Sequence, residues 1–233
     1  RDRDRLLRGF GIEKIVTLPF DEALMRTDWQ EFFFRLLKMD AAGLVCGADF
    51  RFGYRGMGDA EKLRTACAAA GIPCAVVPEQ TLDGVRVSST HIRGLLEAGD
   101  VENANRFLGH RHILSGTVIS GRQLGRTIGI PTANIELPQG LLVPKFGVYA
   151  CLARTELGEF SAVTNIGTRP TVNGTAVTME PWLMEFSGDL YGKEITLEFY
   201  KFLRPEKKFP DLQALQEEIQ KNAEETRKFF EKT

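Results

Sequence analysis

The chain has 233 residues, of which 43% are hydrophobic and 26% charged, and this suits one large domain or two modest ones. Its formal net charge of −1 argues against a nucleic-acid-binding protein, because such proteins carry a positive field. No run approaches the roughly 20 apolar residues of a membrane span, and no signal-peptide pattern opens the chain. We therefore expect a cytoplasmic protein that acts on small molecules, without nucleic acid or membrane partners; its oligomeric state is left open.

The cysteine and histidine positions predict neither a disulfide nor a metal centre. The four cysteines have irregular spacing and form no Cys-x-x-Cys motif, which is typical of buried free thiols in a reducing compartment. His110 and His112 alternate, so in a strand their side chains would point to opposite faces. The chain begins Arg-Asp-Arg-Asp-Arg, without a methionine, inside a helical pattern. We expect it to be a fragment of a longer protein.

Helix and strand patterns alternate through the first half of the chain. Thr27 and Gln30 form a capping box ahead of an amphipathic helix, and two later helices start at a serine pair and at Asp100. The strand patterns are continuous apolar runs, as in buried parallel strands. The predicted helices are 1–8, 27–37, 59–70, 88–98 and 100–108, and the predicted strands are 13–18, 42–46 and 74–77. This alternation predicts an α/β unit.

After Gly109 short strands dominate, separated by turn residues. The predicted strands are 111–120, 147–154, 159–165, 175–186 and 194–202. Such spacing predicts an antiparallel barrel or sandwich. A helix over 211–230 follows, and the apolar residues along one of its faces predict that it packs on the barrel, with a partner-binding helix as the alternative. We place the domain boundary near residue 109.

The stretch 116–134 combines four glycines, two arginines and a closing Pro-Thr-Ala-Asn. Glycines let backbone N–H groups approach a ligand closely, and arginines offset anionic charge. Hydroxyl and amide oxygens together with phosphates are ligands that suit Mg²⁺. The spacing is neither a Walker A loop nor a dinucleotide fingerprint. The pattern predicts a phosphate site with a divalent ion, and the alternative is a glycine-bent hairpin with surface arginines.

A family resemblance covers essentially the whole chain. Gly125-Arg-Thr-Ile-Gly-Ile-Pro131-Thr132-Ala133-Asn134 resembles the ATP-binding stretch of riboflavin kinases. Four later motifs agree in order: Gly147-Val-Tyr-Ala150, Asn165-Ile-Gly-Thr-Arg-Pro-Thr171, Asp189-Leu-Tyr-Gly192 and Phe202-Leu-Arg204-Pro-Glu206-Lys-Lys-Phe209. Upstream, Gly47-Ala-Asp-Phe-Arg-Phe-Gly53 and Ser88-Ser-Thr-His-Ile-Arg93 resemble the FMN adenylyltransferase domain that is fused to that kinase in bacteria.

The chain thus resembles bacterial bifunctional riboflavin kinase/FAD synthetases. The resemblance implies a partial Rossmann-like nucleotidyltransferase domain over 1–108. It also implies a six-stranded antiparallel riboflavin kinase barrel with a C-terminal helix over 109–233. The implied kinase activity phosphorylates riboflavin to FMN with ATP, and the intact family member also converts FMN to FAD.

The resemblance also implies roles for individual residues. In the kinase domain, Glu180 would be the catalytic base, and Thr132 and Asn134 would hold Mg²⁺ and the ATP phosphates. The other implied contacts are Gly121, Gly125, Arg126 and Pro131 with ATP, and Arg204 and Glu206 with flavin. In the adenylyltransferase domain they are Asp49, Phe50 and Phe52 with flavin, and Ser88, Ser89, Thr90 and Arg93 with the ATP phosphates.

Two departures qualify these expectations. The family usually has Glu-x-His where this chain has Glu180-Pro181-Trp182, so we expect an edge or bulged strand there and an altered setting for the base. The printed residues contain no His-x-Gly-His, the family's adenylyl-transfer motif, so we expect kinase activity with little or no FAD synthesis. The alternatives are a non-catalytic flavin- or nucleotide-binding module and an oligonucleotide-binding barrel, and the net charge disfavours the latter.

Overall fold

The computed structural model describes residues 2–121, 125, 128–138, 140–171 and 174–232. The chain divides into two compact units, one formed by 11–87 and the other by 1–10 together with 88–233. The second unit contains the barrel and is called the barrel unit below. Within the described ranges, no helix is long and apolar enough to cross a membrane.

The helices of the described residues are α1 (Asp2–Gly9), α2 (Glu22–Met25), α3 (Trp29–Leu37), α4 (Ala60–Ala69), α5 (Ser89–Ala98), α6 (Val101–Leu108) and α7 (Leu212–Phe230). The strands of unit 11–87 are β1 (Leu44–Gly47), β2 (Arg51–Phe52), β3 (Gly58–Asp59), β4 (Cys74–Val77), β5 (Thr81–Leu82) and β6 (Val85–Arg86). Those of the barrel unit are β7 (His112–Ile119), β8 (Asn134–Glu136), β9 (Gly147–Thr155), β10 (Gly158–Thr171), β11 (Gly174–Leu183) and β12 (Glu194–Arg204).

Unit 11–87 has the α/β character that the sequence predicts. Strands β1 and β4 pair in parallel, with Leu44 opposite Cys74, and α4 is the helix of the crossover between them, as parallel pairing requires. The core of this unit includes Phe33, Phe52 and Leu63. The described part of this unit therefore supplies one parallel strand pair and the helix that covers it.

In the barrel unit, six antiparallel strands close in the order β10-β11-β8-β7-β12-β9. The interior is filled by alternate side chains of these strands, among them Tyr149, Ile166, Met179 and Phe199, each fully buried. This confirms the predicted six-stranded barrel. Strand β8 was not predicted, because three residues are too few to display the alternation that identifies a strand.

Helix α7 packs on the outer surface of the barrel, as predicted. Asp211 caps it by accepting a hydrogen bond from Ala214 N at 2.8 Å. Ala223 lies in a buried cluster with Val148 of β9 and Val163 of β10. The start of the helix is less covered, since Leu212 is 52% exposed. The helix is therefore anchored in its second half, and its first half borders a cavity.

Three local predictions are wrong. Residues 13–18 form no strand, and Val16 and Leu18 are exposed. The cap of α3 is Asp28, which accepts a hydrogen bond from Gln30 N at 2.8 Å, whereas Thr27 donates its hydroxyl hydrogen to Ala23 O. A carboxylate next to the threonine takes the capping position, and Thr27 instead closes the preceding turn.

The third wrong prediction concerns Pro181, because its strand is neither an edge nor bulged. Strand β11 pairs with β10 without a register shift across Thr164 and Pro181. On its other side Pro181 O accepts a hydrogen bond from Ala133 N at 2.9 Å. The missing proline N–H therefore faces the segment just before β8, where the ladder ends in any case. Pro181 costs one ladder hydrogen bond and leaves the strand intact.

Helices α5 and α6, which a boundary near residue 109 would assign to the first domain, cluster with the barrel unit by contacts. The boundary near residue 109 stays a prediction.

Candidate active site

A row of directly paired residues crosses four strands on the outer face of the barrel. Glu180 on β11 lies opposite Asn165 on β10, Asn165 lies opposite Val148 on β9, and Val148 lies opposite Arg204 on β12. Their chain neighbours Met179, Ile166 and Tyr149 fill the barrel interior. Because side chains alternate along a strand, the row itself faces outward, toward α7.

A cavity of about 310 Å³ lies over this row. Its floor is the barrel surface, its opposite wall is the first half of α7, and residues 205–209 border it. The lining residues include Val148, Val163, Asn165, Glu180, Trp182, Arg204, Glu206, Lys207, Phe209, Leu215 and Ile219. We call it the first cavity. Five of the implied kinase residues, Gly125, Thr132, Glu180, Arg204 and Glu206, thus border one space.

Arg204 is held by several partners at the edge of the first cavity. Its Nε donates to Asn222 Oδ1 at 3.0 Å and lies 3.3 Å from Glu218 Oε1, both on α7. Its guanidinium lies 5.5 Å from the centre of the Phe209 ring. Burial lowers the pKa of Arg204, and Glu218 opposes that shift. Arg204 therefore connects β12 to α7 beside the cavity.

Lys207 reaches the same carboxylate as Arg204. Its Nζ lies 3.3 Å from Glu218 Oε2, and this hydrogen bond is the main reason that the pKa of Glu218 is lowered. Lys207 and Phe209 belong to a motif of the family resemblance, but no role was predicted for them or for Glu218. A run of charges after a strand and a glutamate on an amphipathic helix are patterns typical of solvated surface, so neither signals a site.

Glu206 lies against the backbone of Gly167 in the motif that the resemblance identified. A Cβ added at Gly167 would collide with the Glu206 carboxylate. The Glu206 carboxylate therefore lies against β10 at the position that a side chain at 167 would occupy. Asn165 belongs to the same motif, but no role was predicted for it. Its position directly opposite Glu180 makes it a candidate site residue.

Thr132 borders two cavities. It lines the first cavity and also a second one of about 280 Å³. The second cavity is further lined by Val118, Pro131, Ala133, Leu183, Phe186, Ser187, Gly188, Asp189, Leu190 and Tyr191. Thr132 therefore stands between the space that contains Glu180 and the space formed by the Asp189-Leu-Tyr-Gly192 motif.

The glycines of the 116–134 stretch allow close backbone approaches around Thr132. Ile130 N donates to Gly125 O at 2.8 Å, and a Cβ at Gly125 would collide with Ile130 O. The side chain of Asn134 lies against Gly121, where a Cβ would again collide. Gly125 lines the first cavity, whereas Gly121 and Asn134 line neither. Arg126, a predicted ATP contact, lies outside the described residues.

In unit 11–87, two of the three predicted flavin contacts line one cavity. Phe50 and Phe52 stack with ring centres 5.3 Å apart and planes 14° apart. Both border a cavity of about 420 Å³, together with Phe20 and the arginines 51 and 55. Asp49 is ion-paired with Arg86 at 3.0 Å and does not line this cavity.

The predicted phosphate contacts of the adenylyltransferase lie at the start of α5, in the barrel unit. Ser88 is the N-cap and accepts a hydrogen bond from His91 N at 3.2 Å. Ser89 and Thr90 are exposed in the first turn, and Arg93 is exposed one turn later. The exposed residues Ser89 and Thr90 thus lie in the first turn of the helix, where anions are favoured.

Comparison with known proteins places the chain in a family. The family model described as riboflavin kinase matches residues 108–230, and the one described as FAD synthetase matches residues 1–91. A bifunctional riboflavin kinase/FMN adenylyltransferase of Pseudomonas fluorescens is 37% identical over 91% of this chain and 68% of its own length. The chain belongs to the bifunctional riboflavin kinase/FMN adenylyltransferase family.

Further relatives agree with this assignment. The enzyme of the same description from Listeria monocytogenes is 32% identical over 99% of this chain and 74% of its own length. Among solved structures, a protein of Streptococcus pneumoniae described as a macrolide-efflux protein superposes with a TM-score of 0.85 at 30% identity, over 97% of this chain and 73% of that one. That description applies to the pneumococcal protein alone. These matches confirm the resemblance found in the sequence.

Proposed function

We propose that this chain transfers the γ-phosphoryl group of ATP to the 5′-hydroxyl of riboflavin and so forms FMN and ADP. The observation that supports this most is the placement of Thr132 between two cavities, one of which also contains Glu180. A phosphoryl-transfer enzyme must bring an acceptor and a donor together at one point. A cavity on each side of one hydroxyl-bearing residue, within a barrel of the riboflavin kinase family, suits that requirement.

The first cavity is the proposed riboflavin site. Its apolar walls, formed by Val163 of the barrel and by Leu215 and Ile219 of α7, suit a flat ring system. Its polar groups include Asn165, Glu180 and Glu206, which suit a hydroxylated chain. Arg204 and Glu206 border this cavity, and we propose that they shape its flavin side.

Glu180 is the proposed general base. A carboxylate within hydrogen-bond reach of the riboflavin hydroxyl takes its proton as the oxygen forms a bond to the γ-phosphorus. The bond between that phosphorus and the β–γ bridging oxygen breaks, and ADP leaves. Asn165 lies directly opposite Glu180, about 5 Å away between Cβ atoms in such pairs. We propose that its amide helps to position the hydroxyl.

The second cavity and the glycine-containing stretch are the proposed nucleotide site. Thr132 and Asn134 are two residues apart, so in an extended segment their oxygens project to the same side. Hydroxyl and amide oxygens suit Mg²⁺ that is also bound by phosphates, and Asn134 lies beside the backbone of Gly121. We propose that these two residues hold Mg²⁺, which neutralises charge on the phosphates when it is bound. Gly121, Gly125, Arg126 and Pro131 complete the proposed ATP contacts.

In the adenylyltransferase part, Phe50 and Phe52 are the proposed ring contacts for FMN, with Asp49 beside them. Ser88, Ser89, Thr90 and Arg93 are the proposed phosphate contacts. Because the 233 residues contain no His-x-Gly-His, we propose that this polypeptide forms FMN and little or no FAD.

One incubation tests both statements. The chain is mixed with riboflavin, ATP and Mg²⁺, and the flavins are separated by chromatography. We expect FMN to accumulate and FAD to stay at the background level. Failure to form FMN, with riboflavin still bound, would favour a non-catalytic binding module. FAD formation at a rate comparable to that of FMN would contradict the adenylyltransferase statement.

A further inference from the structure

Trp182 lines the first cavity. It lies two residues after Glu180 on β11 and therefore on the same outward face. It is directly opposite Val163 in the strand register, and both residues line the cavity. The indole is thus part of the same surface as the proposed base.

The indole ring of Trp182 is only partly used by the protein. One side packs with the buried cluster of Val163, Met184 and Ala223 beneath α7. The chain's other tryptophan, Trp29, has an aromatic partner in Phe52 at 6.2 Å and a cation in Lys62 at 5.8 Å. Among the residues that the structure describes, Trp182 has no corresponding ring or cation partner. Trp182 is partly exposed and lines the cavity.

The two opposite walls of the first cavity suit a flat molecule that lies between them. The barrel side offers Val148, Val163 and Trp182, and the helix side offers Leu215 and Ile219. A planar aromatic ring gains apolar contact on both faces in such a space and an additional stacking contribution from an indole.

Pro181 keeps this surface in a fixed relation to the base. Its ring is fully buried in the barrel interior, and proline restricts its own φ. Glu180 and Trp182 are therefore held about 7 Å apart along the strand. One end of the surface offers an aromatic ring and the other a carboxylate, as an acceptor with a flat ring and a terminal hydroxyl requires.

We propose that Trp182 is a specificity-determining residue, on which the flavin ring stacks in the first cavity. This inference rests on the proposed function, because it assigns the first cavity to riboflavin. It adds that affinity for the ring system in this chain depends on an indole.

The test uses lumichrome, a flavin ring system without the ribityl chain, so that ring binding is measured apart from phosphoryl transfer. All variants carry Phe50→Ala, which removes one of the two ring contacts proposed for the other flavin cavity. In this background Trp182→Leu keeps an apolar side chain but no aromatic ring, Trp182→Phe keeps a ring, and Trp29→Phe is the control. Lumichrome and riboflavin dissociation constants are measured by titration, together with the emission of the bound flavin.

We expect Trp182→Leu to raise both dissociation constants at least about tenfold, which corresponds to 1.4 kcal/mol. Trp182→Phe should stay within about threefold, because stacking tolerates a change of aromatic ring. Bound flavin should emit more strongly in the leucine variant, since contact with an indole quenches flavin emission, and a purely structural role of Trp182 would not produce this change. Trp29→Phe should change neither quantity.

Equal lumichrome affinity in the leucine variant and its parent would overturn the inference, as would unchanged emission of the bound flavin. If Trp182→Leu does not fold, the comparison of Trp182→Phe with Trp182→His decides in the same way, with weaker binding expected for histidine and equal binding contradicting the inference. The two proposals fail separately. A chain that binds lumichrome through Trp182 but forms no FMN contradicts only the proposed kinase activity.

Discussion

The barrel unit and unit 11–87 position their candidate sites in different ways. In the barrel unit, Glu180, Asn165 and Arg204 are placed by strand register and lie under α7. In unit 11–87, Phe50 precedes a strand of two residues, and the following turn contains Arg55 with φ of 55°. Register fixes side chains through a continuous ladder, whereas a turn depends on a few local dihedral angles.

The two units also differ in the size of their buried hydrophobic cores. Among the described residues, the main cluster of the barrel unit contains 17 buried hydrophobic residues and that of unit 11–87 contains six. Unit 11–87 also exposes large apolar side chains, with Val45 at 73% and Phe20 at 81%. The proposed kinase site therefore lies on a rigid support, and the proposed flavin cavity of the other unit on a less stable one.

The largest expected effect is on catalysis at Glu180. Glu180→Ala and Glu180→Gln should lower the kcat of FMN formation at least about 100-fold, the lower range for loss of a general base. The fold should be retained, because Glu180 faces outward from the barrel and only its carboxylate is lost. Steady-state kinetics and thermal unfolding measure the two quantities. Glu185→Gln, an exposed substitution after the same strand, is the control, and near-normal turnover in Glu180→Gln would exclude Glu180 as the base.

The second prediction concerns the stability of the two units. Ile166→Ala should destabilise the barrel unit by about 2–5 kcal/mol, since the residue is fully buried and its removal leaves a cavity.

In the parent chain, unit 11–87 should unfold at a lower denaturant concentration than the barrel unit. Each unit contains one tryptophan. In the Trp182→Phe variant, the remaining tryptophan therefore reports the unfolding of unit 11–87. In the Trp29→Phe variant, it reports the unfolding of the barrel unit. Coincident transitions in the two variants would contradict this difference.

Much of the fold could be predicted from the sequence where patterns are long. Strands β7, β9 and β12 and helix α7 were predicted within a few residues, because alternation or helical spacing extends over many positions. Strand β8 was missed, since three residues carry no period. The apolar pair Ile15 and Val16 suggested a strand, but a strand needs a partner, and none of the described strands pairs with this segment.

The candidate site could be predicted only where a motif marks it. Thr132 and Glu180 were found through the family resemblance, and spacing alone would not have identified Glu180. Glu218 and Lys207 could not be found, because their meeting depends on how α7 packs against the barrel. Pro181 was misjudged for a related reason. The cost of a proline in a strand depends on which neighbour its missing N–H faces, and only the sheet order reveals that.

The third prediction uses His112, a partly buried histidine of the barrel unit. Burial, with His110 acting in the same direction and Asp2 against it, lowers the pKa of His112 from 6.5 to about 4. Between these values the unfolded chain takes up a proton that the folded chain does not. The free energy of unfolding should therefore decrease by at most about 3 kcal/mol as the pH falls from 6.5 toward 4.

His112→Phe isolates this contribution, because it keeps a ring beside Phe199 and removes the titrating group. Denaturant unfolding of the barrel unit between pH 4 and pH 7, followed by Trp182, gives the slope of stability against pH. We expect a shallower slope in the variant than in the parent chain. Parallel slopes would mean that other groups govern the acid sensitivity of the barrel unit.

The smallest expected effect is at Glu218, which links the helix wall of the first cavity to Arg204 and Lys207. Glu218→Gln removes the charge that these two cations share, so residues 204–207 should lose part of their fixed arrangement. We expect the KM for riboflavin to rise about threefold to tenfold, the range for a partly buried ion pair, with little change in kcat. Glu217→Gln is the matched control, because Glu217 accepts a hydrogen bond from Gln213 within the same helix. A loss of kcat at unchanged KM would instead assign Glu218 to the phosphoryl-transfer step and would show that support for the kinase site extends from the strands into the helix.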